Sequence, residues 1–320
     1  MKSVFYTLIL MICVSGCQPK KSSVPVVAFM DAFQDNTIAL ANQGFFDALQ
    51  QNGFDEKKGT IKVIYRNAQG DIPTLTQISK YMISQQPSLI ATSPTLSTIT
   101  AIQNTKEIPV FMMVSGTPAL MKLNDGSGNE PKNLYGTGET LEYIDTSFGL
   151  ISTLIKPKTK KIRVGMIFNQ SEPQSVEAIE RIKKLAAADS LELIALPVNT
   201  SADAQLVIQS LLSKDIDVFF ANPDNTVFAS FESIVKSCDQ RNVPILTSEA
   251  GLVARGALAA YGADIYQWGF QSGLQAAEFL KSGSLKNIHW EIVKDRKKVY
   301  NLSKAKKYHI TIPGDFKAML

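Results

Sequence analysis

The chain has 320 residues, of which 45% are hydrophobic and 19% charged, and its formal net charge is +4 at pH 7. This length exceeds that of a typical single domain, so two domains with a sizeable core are expected. The net charge is too small to favour nucleic-acid binding, and no RNA- or DNA-binding motif is visible. We therefore expect a globular protein without a nucleic-acid partner.

The first 16 residues have the pattern of a secretory signal. Lys2 precedes an uncharged run over residues 4–14, which is short for a transmembrane helix but typical of a signal peptide. The run ends in VSGC (14–17), which resembles a bacterial lipobox and implies cleavage before a lipid-bearing Cys17. The alternative is a signal peptide with a chance cysteine near its end. Residues 17–24 would hold the lipidated cysteine and a polar tether, so the body would be anchored to the membrane without spanning it.

The remaining body has few residues that favour covalent or metal chemistry. Cys238 is its single cysteine, which excludes a disulfide framework, and it lies on the apolar face of a predicted helix as buried filler. The two histidines, His289 and His309, both lie in the tail. We expect no metal and no cofactor. The Lys/Arg clusters at 294–298 and 304–307 are typical of a solvated face.

Short apolar runs alternate with amphipathic segments in the first half of the body. Strands are predicted at 24–30, 60–65, 88–92 and 109–114, with helices between them. This alternation is typical of a parallel sheet with helices on both faces.

The same alternation starts again after a polar loop at 123–131. Strands are predicted at 162–168, 191–197, 216–221 and 244–247, and a last one at 256–262 returns toward the first unit before a helix at 266–281. A single helix is predicted from Val227 to Cys238. The chain thus holds two α/β units of similar size and order, which face each other across a cleft.

Most predicted strands end in polar residues. In DIDVFFANPDN (215–225), an apolar strand stops before Asp224 and Asn225, and a helix follows. In open parallel sheets, ligands bind beyond the carboxyl ends of the strands, near the first N–H groups of the following helices. Asp and Asn are also ordinary helix caps, which is the simpler interpretation for one corner. Because polar residues follow the predicted strands in both halves of the chain, a binding cleft is favoured over helix capping alone.

Several motifs together resemble the ABC-transporter substrate-binding proteins related to tryptophan- and tyrosine-binding lipoproteins, from about Val26 to the C-terminus. They are IATSPT (90–95), IPVFMMVSGTP (108–118), KNLYGTGE (132–139), FNQSEPQS (168–175), ANPDN (221–225), GALAAYGADIYQWG (256–269) and NLSKAKKYHITIP (301–313). The resemblance implies a type I periplasmic-binding-protein fold, with two doubly wound parallel-sheet lobes joined by three crossing strands. Its implied N-terminal lobe is 25–138 plus 263–283, and its C-terminal lobe is 139–262 plus 284–320.

The resemblance also implies which residues at or just beyond the carboxyl ends of the strands contact the ligand. The implied positions are Ser93, Thr95, Ser115, Asn169, Ser171, Glu172, Gln174, Ser175, Asp224, Asn225 and Glu249. The chain departs from relatives at Gly116–Thr117, where they usually have Asp before Pro, and at Gln174, where they often have Asn. Both positions lie at the cleft, so the identity of the ligand stays open.

These residue types suit an amino-acid-like ligand. Hydroxyl groups and free N–H groups at helix starts hold a carboxylate, and an ammonium group needs a negative partner. For that partner we favour Asp224, and then Glu172 or Glu249. Phe33 and Tyr266 either stack on the ligand or pack in the core.

We therefore expect an exported, lipid-anchored monomer that delivers a small solute to an ABC permease. The resemblance implies that the solute is an amino acid, with aromatic amino acids as the leading candidates. A sensory receptor for a membrane signalling partner would use the same cleft, whereas a structural lipoprotein would need none. A hydrolase using the cleft carboxylates as acid and base is a further alternative. No nucleophile, phosphate-loop or metalloprotease motif supports catalysis, so no enzyme activity is expected.

Overall fold

The structure, a computed structural model, describes residues 24–319. The predicted signal peptide, Cys17 and residues 18–23 of the tether lie outside the described residues. The strands are β1 (Val26–Asp31), β2 (Lys62–Asn67), β3 (Leu89–Ser93), β4 (Val110–Gly116), β5 (Leu134–Glu139), β6 (Arg163–Asn169), β7 (Glu192–Val198), β8 (Val218–Ala221), β9 (Ile245–Thr247), β10 (Ala259–Ala263), β11 (Glu291–Ile292), β12 (Arg296–Tyr300) and β13 (Lys317–Ala318). The helices are α1 (Ala39–Gln51), α2 (Ile72–Ser84), α3 (Thr95–Asn104), α4 (Tyr143–Leu154), α5 (Pro173–Ala188), α6 (Ser201–Leu212), α7 (Asn225–Ala229), α8 (Phe231–Gln240), α9 (Gly251–Ala254), α10 (Ile265–Ser282) and α11 (Leu302–Tyr308).

The strands form two mostly parallel sheets. The first has the order β11-β5-β4-β3-β1-β2, and the second has the order β13-β12-β10-β9-β8-β6-β7. Every pairing is parallel except that of β10 with β12. Helices cover both faces of each sheet, as buried parallel strands require. The predicted α/β architecture with two parallel-sheet lobes is confirmed.

The chain passes between the sheets at three places. These are the connections from β5 to α4, from β10 to α10, and from β11 to β12. The resemblance implies that the last N-terminal-lobe segment ends at residue 283. Instead, Glu291 and Ile292 pair with Thr137 and Gly138 of the first sheet, so the third crossing comes after β11. Two residues are too few to show a strand pattern in the sequence.

The helix predicted from Val227 to Cys238 is two helices, α7 and α8, which meet at Ser230. At this break the Phe228 carbonyl accepts a hydrogen bond from the Arg255 guanidinium. The apolar spacing runs through both helices, so periodicity alone predicts one. Cys238 is fully buried, as expected.

Helices α1 and α10 pack with their backbones in contact. A Cβ added at Gly44 would overlap the Tyr266 carbonyl, and one added at Gly269 would overlap the Ala41 carbonyl. Gly273 lies against Phe45 and Ala48 in the same way. Because α10 follows the second crossing, this packing joins a late segment of the chain to the first lobe.

We predict that Gly269→Ala lowers the free energy of unfolding by about 1–3 kcal/mol, because the added methyl group meets backbone atoms that cannot move aside. Chemical denaturation measures the change. The control is Gly149→Ala in α4, where an added Cβ meets nothing within 4 Å. There alanine should be neutral or stabilising by up to about 1 kcal/mol. Equal effects of the two substitutions would contradict the packing argument.

Candidate functional site

The carboxyl ends of the strands in both sheets face a common cleft. Ser93 ends β3 and Gly116 ends β4 in the first lobe, and Asn169 ends β6 in the second. Helix α3 begins just beyond Ser93 and α5 just beyond Asn169, so the first N–H groups of these two helices also face the cleft. This geometry brings together the polar residues that were predicted at the carboxyl ends of the strands in the two lobes.

The larger free space in the cleft, which we call the outer compartment, has a volume of about 380 Å³. Both lobes line it, with Phe33, Gln34, Gln69, Gly70, Ile72 and Leu96 from the first and Asn169, Ser171, Glu172, Asn199, Thr200, Ser201, Thr226 and Ala229 from the second. The first-lobe side contributes most of the apolar groups. The second-lobe side contributes most of the polar ones.

A smaller space, the inner compartment, has a volume of about 20 Å³, about enough for one water molecule. It is lined by Val114, Gln174, Pro223, Asp224, Asn225, Phe228, Glu249 and Trp268. Val114 has a φ of 50° and lies in the irregular part of the β4/β5 register between Met112 and Ser115. A β-branched residue rarely adopts this conformation, and such strain concentrates at functional sites.

The two lobes are in direct contact through residues that follow the ends of strands β3 and β6. Thr95 Oγ1, at the start of α3, donates a hydrogen bond of 2.9 Å to Gln174 Oε1, at the start of α5. Two residues implied as ligand contacts thus contact each other across the cleft.

Glu172 lies on the wall of the outer compartment and is almost fully buried. Its Oε2 accepts from the backbone N–H and the side-chain amide of Asn225, at 3.1 and 2.7 Å. Its Oε1 accepts from Asn169 and Thr226. Burial, and then the nearby Asp224 carboxylate, raise the pKa of Glu172 to about 7.

No cation within residues 24–319 offsets the charge of Glu172, because none of the salt bridges there involves it. A buried carboxylate with neutral donors but no positive partner is costly to ionise. The site is therefore well suited to a cationic group brought by a ligand.

Asp224 has a different environment from the one expected for an ammonium partner. Its Oδ1 accepts from Val227 N–H, which makes it the N-cap of α7, and its Oδ2 accepts from Asn169 N–H and the Ser175 hydroxyl. Asp224 lines the inner compartment and not the outer one, and burial raises its pKa. This corresponds to the helix-cap interpretation, and it leaves Glu172 as the carboxylate on the outer compartment.

Glu249, the third predicted carboxylate, lies on the wall of the inner compartment. Its Oε1 accepts a hydrogen bond of 2.9 Å from the Tyr143 hydroxyl. Burial raises the pKa of Glu249 to about 8, and the charge of Glu139 adds to the increase. Glu139, at the end of β5, forms a salt bridge with Arg296 at the third crossing. The inner wall is thus linked to the segments that join the lobes.

The other predicted residues divide between the cleft and the sheet interior. Ser171 and Phe33 line the outer compartment, and Gln174 and Asn225 line the inner one. Ser93 and Ser115 are fully buried: Ser115 Oγ bonds to the Met113 carbonyl and to Thr98, and Ser93 Oγ has no partner among residues 24–319.

Tyr266 lies outside both compartments. Its hydroxyl donates to Asp47, and its ring stacks on Phe270, which matches the packing interpretation.

Sequence reasoning missed several residues of the outer compartment, namely Ile72, Leu96, Asn199, Ser201 and Thr226. Asn199 and Ser201 follow β7, so they are polar residues beyond a strand end, which is the pattern that identified candidates at the other strands. Ile72 is 57% exposed at the start of α2, which is unusual for an isoleucine, but exposure is not visible in a sequence.

Within residues 24–319, no group of three or more His, Cys, Asp or Glu residues is arranged to hold a metal ion. In the same part of the chain, no helix combines the length and apolar character needed to cross a bilayer.

Comparison with known proteins gives consistent matches over most of the chain. A family model described as "ABC transporter substrate binding protein" matches residues 24–318. A tyrosine-binding protein from Clostridioides difficile (strain R20291) is 33% identical over 252 residues, which are 79% of this chain and 71% of that protein.

Solved structures share the fold. A conserved domain protein from Vibrio cholerae O1 biovar El Tor has a TM-score of 0.83 at 26% identity, covering 92% of this chain and 99% of that one. An ABC domain from Streptococcus pneumoniae in complex with L-Trp also has a TM-score of 0.83, at 20% identity, covering 93% and 100%. A ligand-free, open substrate-binding protein with adhesive properties from Clostridium difficile has a TM-score of 0.67 at 25% identity, covering 92% and 99%.

We predict that the unfolding free energy of the ligand-free protein falls as pH rises from about 4.5 through 7. The folded-state pKa of Glu172 lies above its unfolded value, so folding binds a proton that is lost across this interval. The decrease due to Glu172 should be on the order of 1–3 kcal/mol. Denaturant titrations at pH 5 and pH 7.5 measure it.

Glu172→Gln should reduce this pH dependence but not abolish it, because Glu249 also has a raised pKa and contributes with the same sign. The matched control is Glu177→Gln on the exposed face of α5, which should behave like the wild type. A wild-type stability that rises over this interval would contradict the assignment.

Proposed function

Because the chain belongs to the ABC transporter substrate-binding protein family, we propose that it captures an amino acid in the outer compartment and delivers it to an ABC permease. Members of this family bind small ligands and are not enzymes, and the family is exported or periplasmic. The observation that carries the proposal is the buried Glu172, which has neutral donors and no cationic partner among residues 24–319. An α-ammonium group would supply that partner.

Polar groups near Glu172 suit the α-carboxylate. Ser171, Asn199 and Ser201 line the outer compartment, and their side chains make no hydrogen bond to other described residues. Ser201 also begins α6, whose first N–H groups favour negative charge. Donors for the carboxylate and an acceptor for the ammonium thus lie on the same wall.

The opposite wall suits an apolar side chain. Phe33, Ile72 and Leu96 line the first-lobe side, and Phe33 is held against Gly70 at the turn before α2. Aromatic rings bury large areas and pack well on such surfaces. Together with the tyrosine-binding relative and the L-Trp complex of similar fold, this wall supports an aromatic amino acid as the solute.

The N-terminal pattern completes the proposal. VSGC at 14–17 supports a lipid anchor on Cys17, which would hold the body on the outer face of a membrane. Self-contained lobes with a cleft between them support function as a monomer.

A thermal-shift screen of the body from Ser22 onward against the twenty amino acids tests the proposed function. Binding to the folded form raises the melting temperature, and the aromatic amino acids should give the largest increases. Absence of any increase with all twenty at millimolar concentration would overturn the proposal.

We predict that Glu172→Gln weakens amino-acid binding about 10- to 100-fold, because the ligand ammonium loses its charged acceptor in a buried site. Isothermal titration calorimetry measures the affinity, and circular dichroism checks that the variant is folded. Glu177→Gln, on the same helix but outside the cleft, is the control and should bind like the wild type. Unchanged affinity of the Glu172 variant would show that the ammonium lies elsewhere.

We predict that Phe33→Ala weakens binding of tyrosine and tryptophan about tenfold or more, with a smaller effect on alanine, because only the larger side chains reach this wall. Competition binding with the three amino acids measures the difference. Tyr81→Ala replaces an exposed aromatic residue of α2 away from the compartment and should change none of the affinities. An equal loss for all three ligands would mean that Phe33 acts on the fold instead of the ligand side chain.

A further inference from the structure

The lobes meet at a second place, which neither lines the two compartments nor belongs to the predicted site. The turn formed by α9 and Arg255 in the second lobe lies against the start of α1 in the first. We call Asp35, Thr37, Gly251 and Arg255 the interlobe clasp.

Arg255 connects the lobes through its guanidinium group. One terminal nitrogen donates to Asp35 Oδ2 at 2.7 Å and to Thr37 Oγ1 at 3.1 Å, both in the first lobe. The remaining nitrogens contact its own lobe, with bonds to both Glu232 carboxylate oxygens at 2.8 and 2.9 Å and to the Phe228 carbonyl at 2.8 Å. The planar fork of arginine makes these simultaneous contacts possible, whereas a lysine could not make them all.

Asp35 is held equally firmly on the other side. Its Oδ1 accepts from the backbone N–H groups of Thr37 and Ile38 at the start of α1, which leaves Oδ2 for Arg255. The Asp35 side chain is 2% exposed and that of Arg255 is 14% exposed. Separation of the lobes would expose both charges to water and break their contact.

The clasp lies next to the walls of the outer compartment. Phe33 and Gln34, which line the first-lobe wall, directly precede Asp35, and Ala229, on the second-lobe wall, directly follows Phe228. A bond between Arg255 and Asp35 therefore fixes the relative position of both walls.

We propose that Arg255 is a positioning residue for solute binding, which stabilises the closed arrangement of the lobes through Asp35 without touching the ligand. Apparent affinity scales with the fraction of molecules in the binding-competent arrangement, so a contact made only on closure increases affinity. This inference rests on the proposed solute-binding function.

Gly251 provides an independent argument for the clasp. A Cβ added at this position would overlap Thr37 Cγ2 in the opposite lobe. The closed arrangement thus requires a glycine here, although its backbone conformation does not. A side chain at 251 would oppose closure by steric contact and leave each lobe intact.

The first experiment compares ligand dissociation rates, with L-tyrosine as the probe. Arg255→Gln and Asp35→Asn should each increase the dissociation rate on the order of tenfold, with little change in association, and the double variant should be no worse than the worse single one. Asparagine keeps an oxygen for the Thr37 and Ile38 N–H groups, so Asp35→Asn removes the charge and the acceptor that face Arg255 while retaining this turn. Arg181→Gln is the matched control, because Arg181 forms a two-point ion pair with Asp145 inside the second lobe.

The second experiment uses the steric contact and its repair. Gly251→Ala should weaken L-tyrosine binding, and Thr37→Ser in the same chain should restore it, because serine removes the clashing methyl group and keeps the hydroxyl for Arg255. A purely structural role of Gly251 in its own lobe would not be repaired by a change in the other lobe. Dissociation rates equal to those of the wild type in the Arg255 and Asp35 variants, or absence of repair, would overturn the proposal.

Small-angle X-ray scattering separates failure of the clasp from failure of the proposed function. If wild-type protein does not bind L-tyrosine, the proposed aromatic specificity is wrong, and scattering from the ligand-free proteins decides the clasp. Arg255→Gln should then give a larger radius of gyration than the wild type, and Arg181→Gln should not. Equal radii for all three proteins would overturn the clasp.

Discussion

The binding cleft depends on one electrostatic constraint, a carboxylate held in a desolvated site with no cationic partner among residues 24–319. Glu172 accepts hydrogen bonds from Asn225, Asn169 and Thr226, which fix its position but do not neutralise it. Asp224 lies close enough to raise its pKa further. A site with this arrangement is costly to ionise when empty and becomes favourable when a cationic group enters. The free energy gained on binding is thus concentrated at the point where the ligand ammonium would lie.

The two-lobed fold determines how this constraint is used. Glu172 is on the second lobe, whereas the apolar wall of the compartment comes mainly from the first. A ligand held by both must bring the lobes together, and differential contact with both lobes is what shifts a closing equilibrium. The Thr95–Gln174 bond and the clasp around Arg255 are contacts of the same closed arrangement. Binding and closure are therefore one process in this account.

Local sequence patterns predicted much of the fold because hydrophobic periodicity and polar strand exits follow directly from it. The strand ending at Ala221 and the helix cap at Asp224 could be read from eleven consecutive residues. The role of Glu172 could not, because its burial depends on Asn225 and Asp224, which are distant along the chain. Similarly, the break at Ser230 is accompanied by a bond from Arg255, and the third crossing depends on a two-residue strand. These features depend on contacts between residues far apart in the sequence, so they cannot be predicted from any single segment.

The most direct test of the central claim is the number of protons released when an aromatic amino acid binds near pH 6.5. Calorimetric titrations in buffers of different ionisation enthalpy give this number. If the ligand ammonium pairs with Glu172, binding lowers the pKa of that group from about 7 and releases a proton, and Glu172→Gln abolishes the release. Binding with no proton exchange, or with equal release in the variant, would contradict the account.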